Sequence, residues 1–385
     1  VLDYSNPNLV VLNLLLVPVT SLQGLSSNAQ KVAECLEELN PPPGDDLYTV
    51  INSLRFITTL EGIEKALLSM QPSAFTALAV MKESSTLYFR NAIYTRLDSR
   101  GRSCQKDEQG YHFWIAPIFG ISEENNHGKE PGYHSFTPGI ALGMDGFLLS
   151  DLQVGGSLGY THSYIDWNRK RGNASIDALY GSLFTRYGNQ VGYLEGALVG
   201  GYDYYSTTRD IRIGGLIPIR REAEGHHHGF EMSLHLKGGC NLPVNVTRLG
   251  PYASVDLLYL YESSFSERGA DSLNLNVSGK HSDLLQTELG MEFSHCYNLT
   301  RQSFNPFIQM GGIWEKRFTG DKIDSTFEGC PLDVRGYSHS RLLVGAGAGF
   351  NIEWALKNAP KASLAYKGKY GRGYQDHSIN FELIY

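Results

Sequence analysis

From about residue 111 to the end of the chain, hydrophobic and polar residues alternate with a period of two. In the segment 152–161, for example, Leu158 and Tyr160 fall on one face, and the other face carries nothing larger than Gln153. This pattern predicts β-strands, because successive side chains of a strand point to opposite faces. It recurs in twelve segments, near 111–120, 135–147, 151–164, 174–187, 190–205, 228–241, 249–262, 281–296, 304–318, 338–354, 360–371 and 376–385.

Alternation alone fits a soluble β-sandwich as well as a membrane barrel. Three further features favour the barrel. The polar faces are rich in glycine and carry both signs of charge, as a hydrated lumen would, and aromatic residues gather at strand ends, as at Tyr160, Tyr164 and Trp354. Connections also alternate in length, from a tight hairpin at Gly188-Asn189 to a long polar loop over 206–225. An even number of antiparallel strands can close without an unpaired edge in lipid.

Before this region the period is helical. Pro72 is suited to a first helical turn, and no proline or glycine follows until after Asp98, so one long helix is predicted over 72–98. Its charged side chains, Lys82, Glu83, Arg90 and Arg96, point in several directions. Such a helix cannot face lipid, but it can pass through a polar pore or pack on the surface of a soluble domain.

The remaining N-terminal residues are predicted to hold one or two short strands within 9–19, a helix over 28–39 that ends at Pro41, and a second helical stretch over 46–69. The pattern therefore divides the chain into an N-terminal helical region over 1–71, a long helix over 72–100 and a strand-rich region over 101–385. The chain opens on Val1 without a basic leader, which predicts a mature or C-terminal fragment.

Composition narrows the class of protein. Only 19% of the 385 residues are charged, whereas 42 are glycine and 44 are aromatic, and the net charge is −7. A chain without a cationic surface is not expected to bind nucleic acid. Five cysteines lie far apart without a C-x-x-C pair, so an odd thiol remains and neither a zinc knuckle nor a thioredoxin motif is predicted.

Several segments together resemble the C-terminal translocator domain of autotransporters, the type Va secretion proteins. The resemblance covers roughly 70–385 and rests on the long helix and on the segments SFTPGIALGMD (135–145), QVGGSLGYTHS (153–163), LGPYASVDLLYLYESSFSERGADSLNLNV (249–277), LLQTELGMEF (284–293) and INFELIY (379–385). The fold class it implies is an all-β transmembrane, 12-stranded antiparallel outer-membrane β-barrel with one helix inside the pore.

By this resemblance, residues 1–71 would be a passenger remnant or helical linker, 72–100 a pore-spanning linker helix and 101–385 the barrel. The chain would export and display an N-terminal passenger at the surface of a diderm bacterium. Its implied partners are outer-membrane lipid, the β-barrel assembly machinery and its own passenger. The machinery would read a C-terminal insertion signal formed by Phe381, Leu383 and Tyr385, although the family most often ends in Phe. No tight pair at the helix end marks a self-cleavage junction.

Alternation also predicts which charged and polar side chains face the lumen. These are Asp145, Gln153, Glu231, Glu288, Glu292, Arg341 and Glu353. We expect them to pair with the helix or with each other, and specifically Arg90 and Arg96 to pair with Glu288, Glu292 or Glu353.

No catalytic, cofactor-binding or metal-binding residue is predicted. His226, His227 and His228 cannot all converge on one ion from a regular strand, so they are assigned to the end of a polar loop. No spacing links the lumen acids with His235 as a catalytic set. Two alternatives stay open: an outer-membrane barrel enzyme, such as a protease or lipase with a loop or rim site, and a soluble all-β adhesin.

Overall fold

The architecture is that of a computed structural model, which describes residues 2–6, 9–12, 18–104, 110–189, 191–215, 217–244, 247–319, 322–336, 340–355 and 359–385. A short antiparallel hairpin (Leu2–Asn6 and Leu9–Leu12) precedes four α-helices. The helices are α1 (Ser27–Leu39), α2 (Asp46–Arg55), α3 (Leu60–Ser69) and α4 (Thr76–Gly101).

Twelve long strands follow the helices. They are β1 (Tyr111–Glu124), β2 (Tyr133–Leu149), β3 (Leu152–Trp167), β4 (Gly172–Gly188), β5 (Gly192–Ile213), β6 (Ile219–Cys240), β7 (Thr247–Glu262), β8 (Lys280–His295), β9 (Gln302–Arg317), β10 (Ser340–Trp354), β11 (Lys361–Gly371) and β12 (Tyr374–Ile384). Each pairs antiparallel with the next, and β12 pairs with β1. The predicted closed barrel of twelve antiparallel strands is confirmed.

The two faces of the barrel wall differ as the alternation predicts. Large apolar side chains point outward and are exposed, among them Leu158 at 68%, Leu183 at 69% and Leu342 at 78%. The opposite face is polar and buried around the bore. Outward tyrosines such as Tyr164 and Tyr202 lie nearer one end of the wall, where an interfacial aromatic belt belongs. The outer surface is thus an apolar band suited to lipid.

The ends of the barrel are unlike each other. At one end, which we call the turn end, short connections join β2 to β3 and β4 to β5, and the backbones of Phe113 and Tyr385 hydrogen-bond to each other. At the other, which we call the cap end, long connections follow β7 and β9. They form a four-stranded sheet from Phe265–Ser266, Leu275–Val277, Lys322–Phe327 and Cys330–Arg335.

Helices α1–α3 pack on this sheet and on the barrel mouth, and together these elements form what we call the cap. The buried apolar side chains of these helices and of the sheet form one cluster with side chains of the barrel wall. Leu36 and Leu67 come from the helices, Val334 from the sheet and Trp167 from the wall. The second predicted helical stretch is two helices, because Thr59 caps α3 through a 3.2 Å hydrogen bond from the Gly62 amide. The three helices within 27–69 pack against the four-stranded sheet and the mouth of the barrel.

The prediction of a long loop over 206–225 is wrong. β5 continues to Ile213 and β6 begins at Ile219, so both strands rise past the wall into the cap. Ile211, Ile213 and Ala223 alternate into the apolar cluster there. The segment resembles a loop in sequence because the outward positions of these upper strands carry polar and charged side chains, such as Asp210 and Arg212, in place of apolar ones.

Helix α4 runs through the bore. A 3₁₀ turn (Ser73–Phe75) precedes it, and its 26 residues give it a length of about 39 Å. Every residue from Thr76 to Arg100 is buried, although the helix has no apolar face. Of the helices described, none has the length and apolar composition needed to cross a bilayer.

Two disulfides tie the N-terminal segment to the barrel. Cys35 of α1 is bonded to Cys330 in the cap, and Cys104, just after α4, is bonded to Cys296 at the turn end. Cys240 is a free, exposed thiol.

Candidate functional site in the barrel bore

Lys82, near the cap end of α4, contacts two carboxylates of the wall. Its Nζ lies 2.8 Å from Asp203 Oδ1 on β5 and 2.9 Å from Glu231 Oε1 on β6, and all three side chains are buried. The ammonium also donates a 2.8 Å hydrogen bond to the Tyr180 hydroxyl. One turn later, Thr86 donates to Glu231. A single cation of the helix therefore neutralises acids on two adjacent strands.

Arg90 lies two turns further along α4 and binds the adjoining part of the wall, on β6 and β7. Its Nη2 is 3.1 Å from Asp256 Oδ1 on β7, and its Nη1 donates a 2.8 Å hydrogen bond to the Ser233 hydroxyl. Asp256 also shares a 2.7 Å hydrogen bond with His235 Nδ1 and accepts one of 3.1 Å from the Tyr94 hydroxyl. This carboxylate joins side chains of the helix to two strands.

Arg96 forms a two-point contact with Asp145 on β2. The distances are 2.6 Å from Nε to Oδ1 and 3.1 Å from Nη2 to Oδ2. Gln153 donates a 2.7 Å hydrogen bond to the same carboxylate, and the Arg100 Nη2 lies 3.2 Å from it. Glu382 on β12 lies 3.8 Å from Arg96 Nε. The paired geometry fixes the orientation of the guanidinium as well as its charge.

Further ion pairs hold the end of α4 nearest the turn end. Asp98 Oδ1 lies 2.6 Å from Lys237 Nζ, and Arg102 Nη1, just past the helix, lies 2.8 Å from Glu292 Oε2. Both pairs join the helix segment to the wall. The segment is thus fixed at its end as well as along its length.

The cap end of the bore has its own network. Glu83 Oε2 lies 2.5 Å from Arg317 Nη2 on β9. Nearby, Arg341 Nε is 2.7 Å and Lys369 Nζ 2.9 Å from the two oxygens of Glu315. Arg341 thus faces the lumen but pairs with the wall rather than with the helix.

The charges of helix and wall are complementary. Between Thr76 and Gly101, four side chains are cationic and two are acidic, and the cations face mostly wall carboxylates. Breaking a buried pair by removing one partner costs about 3–5 kcal/mol, since the other charge stays buried and uncompensated. The bore therefore accepts this helix in one rotation and at one height.

A family model described as the autotransporter β-domain matches residues 113–367, well over half of the chain. This chain belongs to the autotransporter β-domain family. It is similar to outer membrane protein A of Rickettsia conorii, with 23% identity over 351 residues, which cover 84% of this chain and 17% of that protein. The chain therefore spans about a sixth of the length of this curated relative.

Two solved structures share the fold of this β-domain. The translocator domain of autotransporter NalP from Neisseria meningitidis superimposes with a TM-score of 0.60 and 18% identity, covering 78% of this chain and 97% of that one. The β-domain of the Bordetella autotransporter BrkA gives a TM-score of 0.54 and 20% identity, covering 72% and 99%. The barrel is an outer-membrane protein of a diderm bacterium, as its family and its named relatives are.

Within this autotransporter β-domain, the predicted pairing of Arg90 and Arg96 with Glu288, Glu292 or Glu353 is wrong. The two arginines bind Asp256 and Asp145 instead. Their partners depend on the rotation of α4 relative to the wall, and each residue along a helix turns the side chain by about 100°. Alternation along the strands carries no information about that rotation.

The three glutamates have other partners. Glu288 accepts a 2.6 Å hydrogen bond from Tyr252, and Glu292 pairs with Arg102 as described. Glu353 is buried and accepts a 3.4 Å hydrogen bond from the Ser303 hydroxyl. Two of them thus contact neighbouring wall residues.

Sequence reasoning missed Asp203 and Lys237, which both contact the helix. A signal existed for each, because Asp203 alternates with the outward Tyr202 and Tyr204, and Lys237 lies two residues after His235 on the inward face of β6. Extending the alternation to every charged residue of the twelve segments would have found both.

The assignment of His226–His228 to a loop is wrong, since they lie on β6. They alternate as strand residues do: His227 is buried between Tyr205 and Phe265, whereas His226 and His228 point outward. Within the described ranges, no group of three or more His, Cys, Asp or Glu side chains could hold a metal ion.

Two residues of the predicted insertion signal, Phe381 and Leu383, lie on β12, and Tyr385 directly follows it. Phe381, Leu383 and Tyr385 are all exposed on the outward face, at 38%, 41% and 77%. The strand itself is fully paired, with β11 on one side and β1 on the other. These aromatic and apolar side chains are available on the outer surface.

One charged contact outside the wall ties the cap to the barrel. The two guanidinium nitrogens of Arg221 lie 2.5 and 2.6 Å from the Asp46 carboxylate of α2, and the Ser272 hydroxyl donates a 2.6 Å hydrogen bond to it. The hydrogen bonds from Arg221 hold the pKa of Asp46 well below its usual range. This contact is therefore sensitive to acid.

Proposed function

We propose that the chain is an outer-membrane translocator and anchor, which exports an N-terminal passenger and displays it on the cell surface. The observation that carries this proposal is the path of the chain. Residues before α4 lie at the cap end, residues after it lie at the turn end, and α4 joins them through the closed bore. A chain reaches this arrangement only by crossing the barrel or by having the barrel close around it.

The orientation follows from the lengths of the connections. Outer-membrane barrels place short turns in the periplasm and long connections outside the cell. The cap would then lie outside, and a passenger joined ahead of α1 would be displayed there. The terminus of β12 would remain on the periplasmic side.

After export, α4 would act as a plug and as an anchor. A helix with this many charged side chains is stable in the bore only because the wall supplies counter-charges at matching positions. Its ion pairs from Lys82 to Arg102 would resist withdrawal in either direction. The same contacts would close the pore to ions and small solutes.

The partners follow from the surfaces. The apolar outward band is suited to outer-membrane lipid, and the outward side chains Phe381, Leu383 and Tyr385 are suited to recognition by the β-barrel assembly machinery. The passenger would be encoded upstream, because the chain spans only about a sixth of the Rickettsia relative. Its activity is not specified by this domain.

We also propose that the domain itself is not an enzyme. The lumen histidine and acids described above are engaged with each other or with α4, as His235 is with Asp256. A hydrolase would need a nucleophile and an oriented base around space for a substrate. None of the contacts described above supports the alternative of a barrel enzyme or that of a soluble adhesin. The exposed apolar band also argues against solubility in water.

The test is surface display of a reporter. A secretory signal and an epitope-tagged small domain are joined ahead of Val1, and the fusion is produced in a diderm bacterium. We expect the epitope to be labelled by antibody and removed by protease on intact cells. A matched fusion that ends at Trp354, and so lacks β11 and β12, should leave the epitope inside. A folded, membrane-inserted full-length barrel with its epitope confined to the periplasm would overturn the proposal.

A further inference from the structure

A cavity of about 610 Å³ lies at the cap end, between α3 and the outer rim of the barrel. Its walls come from α3, from the connection between β1 and β2, from the turn between β3 and β4, and from the upper part of β5. Six cations line it: Lys65, Lys129, Arg169, Lys170, Arg171 and Arg212.

Three of these cations are already neutralised. Lys65 pairs with Glu61 at 2.7 Å, Lys129 with Glu64 at 2.6 Å, and Arg212 with Asp210 at 2.8 Å, and all three acids also line the cavity. These three pairs use half of the cations and all of the acids that line the cavity, so no lining acid is left to neutralise the other three cations. What remains is the turn between β3 and β4.

That turn carries three consecutive cations without a carboxylate partner among the described residues. Arg169 donates to the carbonyl oxygens of Lys129 at 2.7 Å and Gly128 at 2.9 Å, and Lys170 is exposed. Both have a positive φ, of 63° and 55°, so the chain accepts an uncommon conformation to hold them side by side. The cavity has a local charge excess of three.

Arg171 is the most unusual of the three, because it is only 8% exposed. Its Nη1 donates a long hydrogen bond of 3.4 Å to the Lys65 carbonyl. Glu130, an acid that acts on it electrostatically, is bound by Asn28 and Ser73 and does not line the cavity. Burial lowers the pKa of Arg171 to about 10. A guanidinium so placed would gain from an anion in the cavity.

The position of the cavity indicates the source of that anion. Asp210 and Arg212 follow the same alternation as the outward Tyr202 and Tyr204, so the β5 wall of the cavity is on the lipid side of the strand. Tyr164 of the aromatic belt lies three residues before the end of β3 at Trp167.

Three strand residues span about 10 Å, and a strand tilted by about 40° rises roughly 8 Å over that length. The polar layer of a bilayer extends roughly 5–8 Å beyond the hydrocarbon on each side. The turn therefore lies at the level of lipid headgroups.

We propose that this cavity binds the phosphate group of an anionic lipid in the outer leaflet, through Arg169, Lys170 and Arg171. Arginine presents several donors in a planar fork that matches phosphate oxygens, and lysine adds a compact charge. Basic pockets beside the membrane are known to bind lipid headgroups in this way. The inference rests on the outer-membrane placement of the barrel and on the proposed orientation, with the cap outside the cell, but it is independent of passenger export.

The test uses the purified full-length chain in a non-ionic detergent and isothermal titration calorimetry. The probes are dihexanoyl phosphatidic acid, dihexanoyl phosphatidylcholine and sodium phosphate at equal ionic strength. We expect saturable binding of the phosphatidate at one site, with at least tenfold weaker binding of the other two. The phosphatidylcholine has the same acyl chains as the phosphatidate but no net charge, and the sodium phosphate has the phosphate anion without acyl chains.

Variants assign the site. K170Q changes an exposed side chain and should weaken phosphatidate binding several-fold, and R169Q/K170Q should weaken it at least tenfold. R268Q removes an exposed cation at the same end of the molecule but outside the cavity, and should bind as the unaltered chain does. Retained heat-modifiable migration in electrophoresis shows that each variant is folded.

Three results would overturn the proposal. One is phosphatidate binding no tighter than that of phosphatidylcholine, and another is equal weakening by R268Q and R169Q/K170Q. The third is sodium phosphate binding as tightly as the phosphatidate, which would assign the site to a free anion instead of a lipid. All three are distinguishable from a failure of export, because the assay contains no passenger.

Discussion

Replacing Lys82 with methionine isolates the electrostatic contribution of the bore. Methionine keeps most of the volume of the lysine stem but removes the charge. In the unaltered chain, the ammonium lies within 3 Å of both Asp203 and Glu231, and all three side chains are at most 1% exposed. K82M therefore leaves two buried carboxylates on neighbouring strands without their shared counter-ion.

The expected magnitude follows from that geometry. Removing one partner of a buried ion pair costs about 3–5 kcal/mol. At 1.4 kcal/mol per factor of ten, the docked state of α4 should lose roughly two to three and a half orders of magnitude in its equilibrium constant. For a chain of this size, a loss of that order should lower the midpoint of thermal unfolding by roughly 4–6 °C.

The assay is heat-modifiable migration of the detergent-solubilised chain as temperature is raised. The matched control is S99A on the same helix, because among the described residues the Ser99 hydroxyl bonds to the Arg96 carbonyl, at 2.9 Å within its own turn, and not to the wall. The decisive variant combines K82M with Asp203→Asn and Glu231→Gln. It has no unpaired charge, so it should recover most of the lost stability.

Two results would refute this reasoning. If K82M unfolds within about 1 °C of the unaltered chain, the ion pairs do not hold the helix. If the triple variant is as unstable as K82M alone, then the loss comes from packing of the lysine stem and not from the uncompensated acids.

Other expectations concern the cap and the last strand. A carboxyl whose pKa is lowered by folding stabilises the protein above its unfolded pKa of about 3.9, and this stabilisation is lost as pH falls through the folded pKa. The Asp46–Arg221 contact should therefore weaken below about pH 4, seen as faster proteolysis of the cap, whereas D46N should lack this dependence. C35S/C330S should destabilise the packing of α1 on the four-stranded sheet of the cap by about 2–5 kcal/mol, measured by the same proteolysis at neutral pH, and unchanged proteolysis would contradict this role of the disulfide. Tyr385→Ser keeps the backbone pairing of the last residue, so it should reduce the amount of barrel assembled in cells while purified, folded barrel keeps its thermal midpoint.

The barrel was predictable because each strand meets two uniform environments, lipid outside and a polar bore inside. A period of two then appears along its whole length, as in β3 and β8. The prediction failed where the environment changed. In the upper parts of β5 and β6 the cap covers the strands, and the charged residues there read as a loop.

The contacts within the bore were only partly predictable. Local sequence gives the helix and the inward face of each strand, and two residues of that inward face, Asp145 and Glu231, contact side chains of α4. The pairs also depend on the rotation and height of α4 within the barrel, which no local pattern encodes. The disulfide pairing could not be predicted from local sequence either, because Cys35 and Cys330 are 295 residues apart and meet only in the folded cap.

Single-channel conductance in planar bilayers tests most directly whether α4 fills a transmembrane pore. The full-length chain is compared with one lacking residues 1–101, which loses α1–α4, and with one lacking 1–69, which loses α1–α3 but keeps α4. Because a helix with its side chains is about 10–12 Å wide, the chain lacking 1–101 should form a steady open channel. The other two should stay nearly closed. A folded barrel lacking 1–101 that conducts no more than the full-length chain would contradict the account.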